Sequence, residues 1–190
     1  MVGQLSAAQC HLGVGVKRIV LTGSESTGKS TLAARLAKHY RALWVPEFVR
    51  EYAERKGAPL DFSDHGPIAR GQIALEDEYH ARAMAHGAQL LIHDTDLLST
   101  AVYCEHYYGR CPAWISAAAH DRRPDLYLLL DIDIVWAPDP QRDRPDRRVE
   151  MHSLFYEAVV RSGAPFKLIK GNADSRFSAA VDAIDAALAC

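Results

Sequence analysis

Residues 23–30 read Gly-Ser-Glu-Ser-Thr-Gly-Lys-Ser, which fits G-x-x-x-x-G-K-[ST] at every constrained position. A triphosphate is densely negative, so its cradle needs several backbone N–H groups aimed at one point. Gly23 and Gly28 lack a Cβ, which lets the chain curl and bring those amides close to phosphate oxygens. Ser24, Glu25, Ser26 and Thr27 supply the rest of the loop. Lys29 puts a cation on the β- and γ-phosphates, and the Ser30 hydroxyl suits Mg²⁺. The flanks agree with the motif. Residues 18–22 form a short apolar run that reads as a buried strand, and Leu32, Leu36, Ala37 and Tyr40 recur at helical spacing. Strand, glycine loop and helix N-terminus together make an anion site. The expected ligand is a nucleoside triphosphate, ATP, with its Mg²⁺.

The 190 residues suffice for one well-packed α/β domain, and no linker divides them. We expect residues 1–16 as a loose lead-in and 17–190 as a single domain. Lys plus Arg number 22 against 24 Asp plus Glu, so the net charge is 22 − 24 = −2. That balance offers no general attraction to nucleic acid or an anionic membrane. No apolar run approaches the roughly 20 residues of a membrane span. The first residues lack a basic start followed by an apolar core, so no secretory signal is expected. Cys10, Cys104, Cys111 and Cys190 are scattered, and Cys104 and Cys111 lack the close spacing of a zinc site. They read as ordinary thiols of a reducing cytoplasm.

Further strands are expected over residues 43–47, 89–96, 125–131 and 164–169. Helices are expected over 48–55, about 67–86, 99–108 and 148–161, and again at the end, where Phe177, Val181, Ile184 and Leu188 form an apolar stripe. Gly71 lies inside the long helix, which points to close packing or ligand approach there. Strands alternating with helices imply right-handed crossovers and a parallel five-stranded sheet covered on both faces. The expected fold is a three-layer α/β P-loop NTPase sandwich of the nucleoside-kinase kind, with an Arg-rich lid. Ligands in such sheets sit at the carboxyl ends of the strands.

Several acids and arginines fall at that edge. Asp94 ends the third strand and is placed to hold Mg²⁺; Asp96, two residues on, points to the same side in extended chain. Helix capping is the competing role for either. Glu47 ends the second strand, where a carboxylate takes the proton of an acceptor hydroxyl. Its competing role is an ion pair with Arg50. Residues 139–148 are dense in arginine and proline, and form a lid whose guanidinium groups, Arg142 and Arg144 foremost, oppose transition-state charge. Residues 171–176, ending in Arg176, follow the last strand where P-loop kinases often wrap adenine.

These motifs resemble a family. Gly-Ser-Glu-Ser-Thr-Gly-Lys-Ser-Thr-Leu (23–32), Glu-Phe-Val-Arg-Glu-Tyr (47–52), Ile-Ala-Arg-Gly-Gln (68–72), His-Asp-Thr-Asp-Leu-Leu-Ser-Thr (93–100), Tyr-Tyr-Gly (107–109) and Trp-x-x-Asp (136–139) occur in family order. The chain is similar to the ribosylnicotinamide kinase domain of NadR-type proteins and to stand-alone AAA-like P-loop ATPase relatives. The resemblance implies transfer of the ATP γ-phosphate to the 5′-hydroxyl of nicotinamide riboside, a small-molecule nucleoside. The alternatives are a P-loop kinase for another small hydroxyl metabolite and an ATP-switched binding module. By the same resemblance, Thr31 and Arg176 join the nucleotide side. Glu47, Arg50, Gln72, Asp96, Tyr107 and Trp136 lie on the substrate side. Tyr107 offers an aromatic face to a cationic ring. The H-x-G-H nucleotide site of the family's adenylyltransferase domain is lacking, since His11-Leu12-Gly13-Val14 has no second histidine. The expectation is a kinase module alone. Trp44 stands three residues before Glu47, displaced from the family's aromatic position.

Overall fold

The computed structural model describes residues 15–135 and 147–189. Five strands, β1 (Lys17–Thr22), β2 (Trp44–Val45), β3 (Leu90–Asp94), β4 (Leu126–Leu130) and β5 (Phe166–Ile169), form one sheet in the order β2-β3-β1-β4-β5. Every neighbouring pair is parallel. The helices are α1 (Lys29–Tyr40), α2 (Phe48–Lys56), α3 (His65–Ala85), α4 (Leu97–Tyr108), α5 (Ala113–Asp121), α6 (Arg148–Ser162) and α7 (Ala173–Leu188). This is the expected α/β sandwich, and the apolar runs explain it. Alternate residues of a strand face opposite sides. Ile19 and Leu21 accordingly pack with Leu32, Leu36, Ala180 and Ile184 of α1 and α7. Val20 packs on the other face with Val102, Tyr127 and Phe155, beside α4 and α6. Each such fully buried side chain contributes about 1.5–3 kcal/mol.

The structure departs from the sequence expectations in four places. The second strand is only Trp44–Val45, because Glu47 already serves as the N-cap residue of α2. A 3₁₀ turn (Phe62–Asp64) precedes α3, held by a capping box in which Asp61 accepts from the Ser63 amide and Asp64 from the Asp61 amide. Helix α4 starts two residues early, at Leu97, because the Asp96 side chain caps it. Helix α5 was not expected. Its one fully buried residue, Ile115, gives no legible stripe, and its start is marked only by Pro112. At Gly71 the close packing is real: a Cβ there would lie 2.0 Å from the Phe48 ring. No helix among the described residues is long and apolar enough to cross a membrane.

Candidate active site

The carboxyl ends of β1 and β3 lie side by side, with Leu21 in register with Asp94. From β1 the chain enters the glycine loop through Gly23 at φ 133°, where a Cβ would stand 2.9 Å from the Leu130 carbonyl oxygen. Ser26 (φ 55°) and Gly28 (φ 81°) also take left-handed conformations, which curls the loop into the N-terminus of α1. Thr27 Oγ1 donates to the Ser24 carbonyl at 2.9 Å, tying the loop across itself. Lys29 Nζ donates to the carbonyls of Gly23 and Ser24, both at 2.8 Å. Ser30 is half-buried in the first turn of α1, and Thr31 is exposed beside it.

The charges around Lys29 define the site. Burial pulls the Lys29 ammonium below its ordinary value; Glu47 and Asp94 push it back up, Arg50 opposes them, and Glu25 adds a smaller upward push. Burial raises the Glu47 carboxyl; Lys29 lowers it, Asp94 raises it, and Arg50 lowers it. Glu47 Oε2 lies 3.0 Å from Arg50 Nε. Asp94 is 2% exposed, and its Oδ1 meets no hydrogen-bond partner among the described residues. One ammonium, two carboxylates and a guanidinium thus converge at the mouth of the glycine loop.

Asp96 does not share that neighbourhood. Thr95 adopts φ 70° and interrupts the extended chain, which corrects the expectation that Asp94 and Asp96 point to one side. Asp96 Oδ1 accepts from the Leu98 amide at 3.1 Å, and Oδ2 from the Tyr127 hydroxyl at 2.6 Å. Burial pushes its carboxyl up, against those two bonds and the Arg18 charge. Gln72 is also engaged at both ends: Oε1 accepts from the Phe48 amide at 3.0 Å, and Nε2 donates to Glu76 at 3.3 Å. Tyr107 stacks on Tyr103, with ring centroids 6.1 Å apart. Trp44 packs partly buried against the core beside α1.

Arg176 sits behind the glycine loop rather than in front of it. It is 4% exposed, and each guanidinium nitrogen donates to a protein oxygen. Nη1 reaches Thr27 O at 2.6 Å, Nη2 reaches Asp131 O at 2.8 Å and the Asp133 carboxylate, and Nε reaches Gly171 O at 2.8 Å. The arginine therefore joins loop, β4 and α7. Trp136, Arg142 and Arg144 lie outside the described residues. Three buried groups escaped the sequence. Glu76 (1% exposed) is held by Arg18 and Arg122, His93 has neither ring nitrogen bonded among the described residues, and Tyr127 bonds Asp96. Only the four-residue step from Gln72 to Glu76 was a local signal for any of them.

The sequence profile of the family described as AAA domain matches residues 18–176. Two curated proteins are similar, both called trifunctional NAD biosynthesis/regulator protein NadR. The one from Escherichia coli is 28% identical over 176 residues, covering 89% of this chain and 42% of its own length. The one from Salmonella typhimurium is 28% identical over 177 residues, with the same coverage. The chain therefore spans less than half of those relatives. Among solved structures, NadR in complex with NR superposes with a TM-score of 0.78 at 24% identity, covering 92% of this chain and 52% of that one. NadR in complex with NAD and AMP-PNP gives 0.74 at 23%, covering 92% and 50%. Thymidylate kinase from Ehrlichia chaffeensis gives 0.61 at 18%, covering 90% and 98%. The five-stranded P-loop fold is common to all of them.

Proposed function

The chain belongs to the AAA domain family, and from that premise we propose that it is an ATP-dependent kinase for the 5′-hydroxyl of nicotinamide riboside. The observation that carries this is the convergence of Glu47 and Asp94 on Lys29. A nucleotide switch needs the lysine and one acid, whereas a kinase also needs an acid for the acceptor hydroxyl. The nucleoside follows from the relatives: NadR proteins match along 89% of the chain, and one NadR structure holds NR, which we take as nicotinamide riboside. Another holds AMP-PNP, an ATP analogue.

In the proposed reaction the loop amides and Lys29 bind the β- and γ-phosphates. The 5′-oxygen attacks the γ-phosphorus, the bond to the β,γ-bridging oxygen breaks, and ADP leaves. Glu47 accepts the 5′-hydroxyl proton. Burial makes that carboxylate more basic, while Lys29 and Arg50 keep its charge supported. The residues present also fit Mg²⁺: Asp94 Oδ1 is buried without a partner among the described residues, and Ser30 offers a hydroxyl from the first turn of α1. When bound there, the ion neutralises charge on the β- and γ-phosphate oxygens. Arg142 and Arg144 serve the transferring phosphoryl group, and Tyr107, with Trp136, the nicotinamide ring. A reducing cytoplasm suits the free thiols of Cys104 and Cys111.

The test is a panel of nucleosides offered with Mg·ATP, following ADP release and product mass. Nicotinamide mononucleotide formed faster than any other product supports the proposal. Preference for a different nucleoside, or ADP release that ignores all of them, overturns it.

A further inference from the structure

Helix α2 has no N-terminal side-chain cap of its own. Glu47 occupies the N-cap position with extended backbone (φ −75°, ψ 109°), but its side chain makes no capping bond. The carboxylate turns to Arg50 instead. The first amides of a helix have no intrahelical acceptor, so another group must meet them. For Phe48 that group is Gln72 Oε1, 24 residues away on α3, at 3.0 Å. The same site packs tightly, since the Phe48 ring lies over Gly71, where any Cβ would collide. The backbone carrying Glu47 is thus pinned to α3 by one hydrogen bond and one ring.

A glutamine amide can turn over, exchanging acceptor for donor. Here Glu76 prevents that. Its Oε1 accepts from Gln72 Nε2 at 3.3 Å, which leaves Gln72 Oε1 facing the Phe48 amide. Its Oε2 accepts from Arg18 Nη2 at 3.3 Å and Arg122 Nε at 3.2 Å, and the side chain is 1% exposed. Arg18 is itself anchored on the Arg122 carbonyl at 2.6 Å. We propose that Gln72, oriented by Glu76 between Arg18 and Arg122, is a positioning residue that holds Glu47 at the glycine loop by capping α2. This rests on the kinase function above, in which Glu47 takes the proton. Gln72 then acts through backbone geometry and touches no acceptor.

The test compares Gln72→Met, which keeps size and loses both bonds, with the reciprocal swap Gln72→Glu plus Glu76→Gln. In the swap the residue at 72 still accepts from Phe48 and now also from the amide at 76, whose oxygen faces the arginines, and the cluster keeps one carboxylate. Gln72→Met should lower kcat about ten- to a hundredfold, as a small misplacement of a reacting group does, with KM for nucleoside and ATP unchanged. The swap should return kcat toward the native value. A raised KM for the nucleoside at unchanged kcat would make Gln72 an acceptor contact and overturn the proposal, as would a swap no better than Gln72→Met. Hydrogen exchange at the Phe48 amide separates this idea from the function above, because it needs no substrate. Protection lost in Gln72→Met and kept in the swap supports the cap even if nicotinamide riboside proves to be the wrong acceptor. Equal protection in all three proteins refutes it.

Discussion

Arg176 Nη1 donates to the Thr27 carbonyl at 2.6 Å, so a residue of the last helix grips the phosphate loop across 149 positions of chain. The loop's curl is set by its glycines, yet its place above the sheet depends on this contact. Arg176→Ala takes the guanidinium donors from the Thr27, Gly171 and Asp131 carbonyls and leaves the Asp133 carboxylate with the Gly171 amide. It should destabilise the protein by about 2–4 kcal/mol, read from urea unfolding. KM for ATP should rise as the loop slackens. Arg176→Lys should recover little, because one ammonium cannot span three directions. Unchanged stability in Arg176→Ala would show that the loop needs no brace.

Lys29→Ala should reduce turnover by at least about a hundredfold, the scale of losing a main electrostatic donor. Its fold should persist. Burial already disfavours the Lys29 charge, and its two bonds go to carbonyls of the loop itself. Thermal unfolding should be equal to native or slightly higher. Near-native turnover would remove Lys29 from the site.

Glu47 and Asp94 should separate under Mg²⁺ titration with the nucleoside saturating. Glu47→Gln should cost about 10²–10⁴ in kcat at every Mg²⁺ concentration. Asp94→Asn should lose productive Mg·ATP use and regain part of it as Mg²⁺ is raised. The opposite pattern would exchange the two roles.

The same acid predicts a pH profile. A general base works only when ionised, and burial places the folded Glu47 carboxyl above the ordinary glutamate value. Native kcat should therefore fall with decreasing pH through a midpoint above that of an exposed glutamate. The residual rate of Glu47→Gln should lack that limb. A limb that survives the substitution belongs to another group.

Gly71→Ala drives a methyl group to 2.0 Å from the Phe48 ring. Overpacking of this kind costs about 1–3 kcal/mol. Because Phe48 follows Glu47, kcat should fall as well. Adding Phe48→Leu should restore part of the stability, a coupling measured by a double-mutant cycle. Strict additivity would mean that the ring moves aside freely.

What the sequence determined by itself is local. The glycine loop between an apolar strand and a helix needs only eight consecutive residues to be legible, and 23–30 contain all of them. Strand and helix periodicities are likewise short-range, which is why the parallel sandwich followed from them. Where the signal was weak, as in the alanine-rich α5, so was the expectation. The strand order, the parting of Asp94 from Asp96 and the partners of Gln72, Glu76 and Arg176 belong to tertiary structure. The parting turns on one left-handed residue, Thr95, that no local pattern required. Apart from the local steps from Gln72 to Glu76 and from Arg176 to Gly171, the others join residues 24 to 149 positions apart. A buried charge needs partners, but its own stretch of chain does not name them. The fold chooses them, when β1 is laid beside β3 and β4, and α3 and α7 close over opposite faces of the sheet.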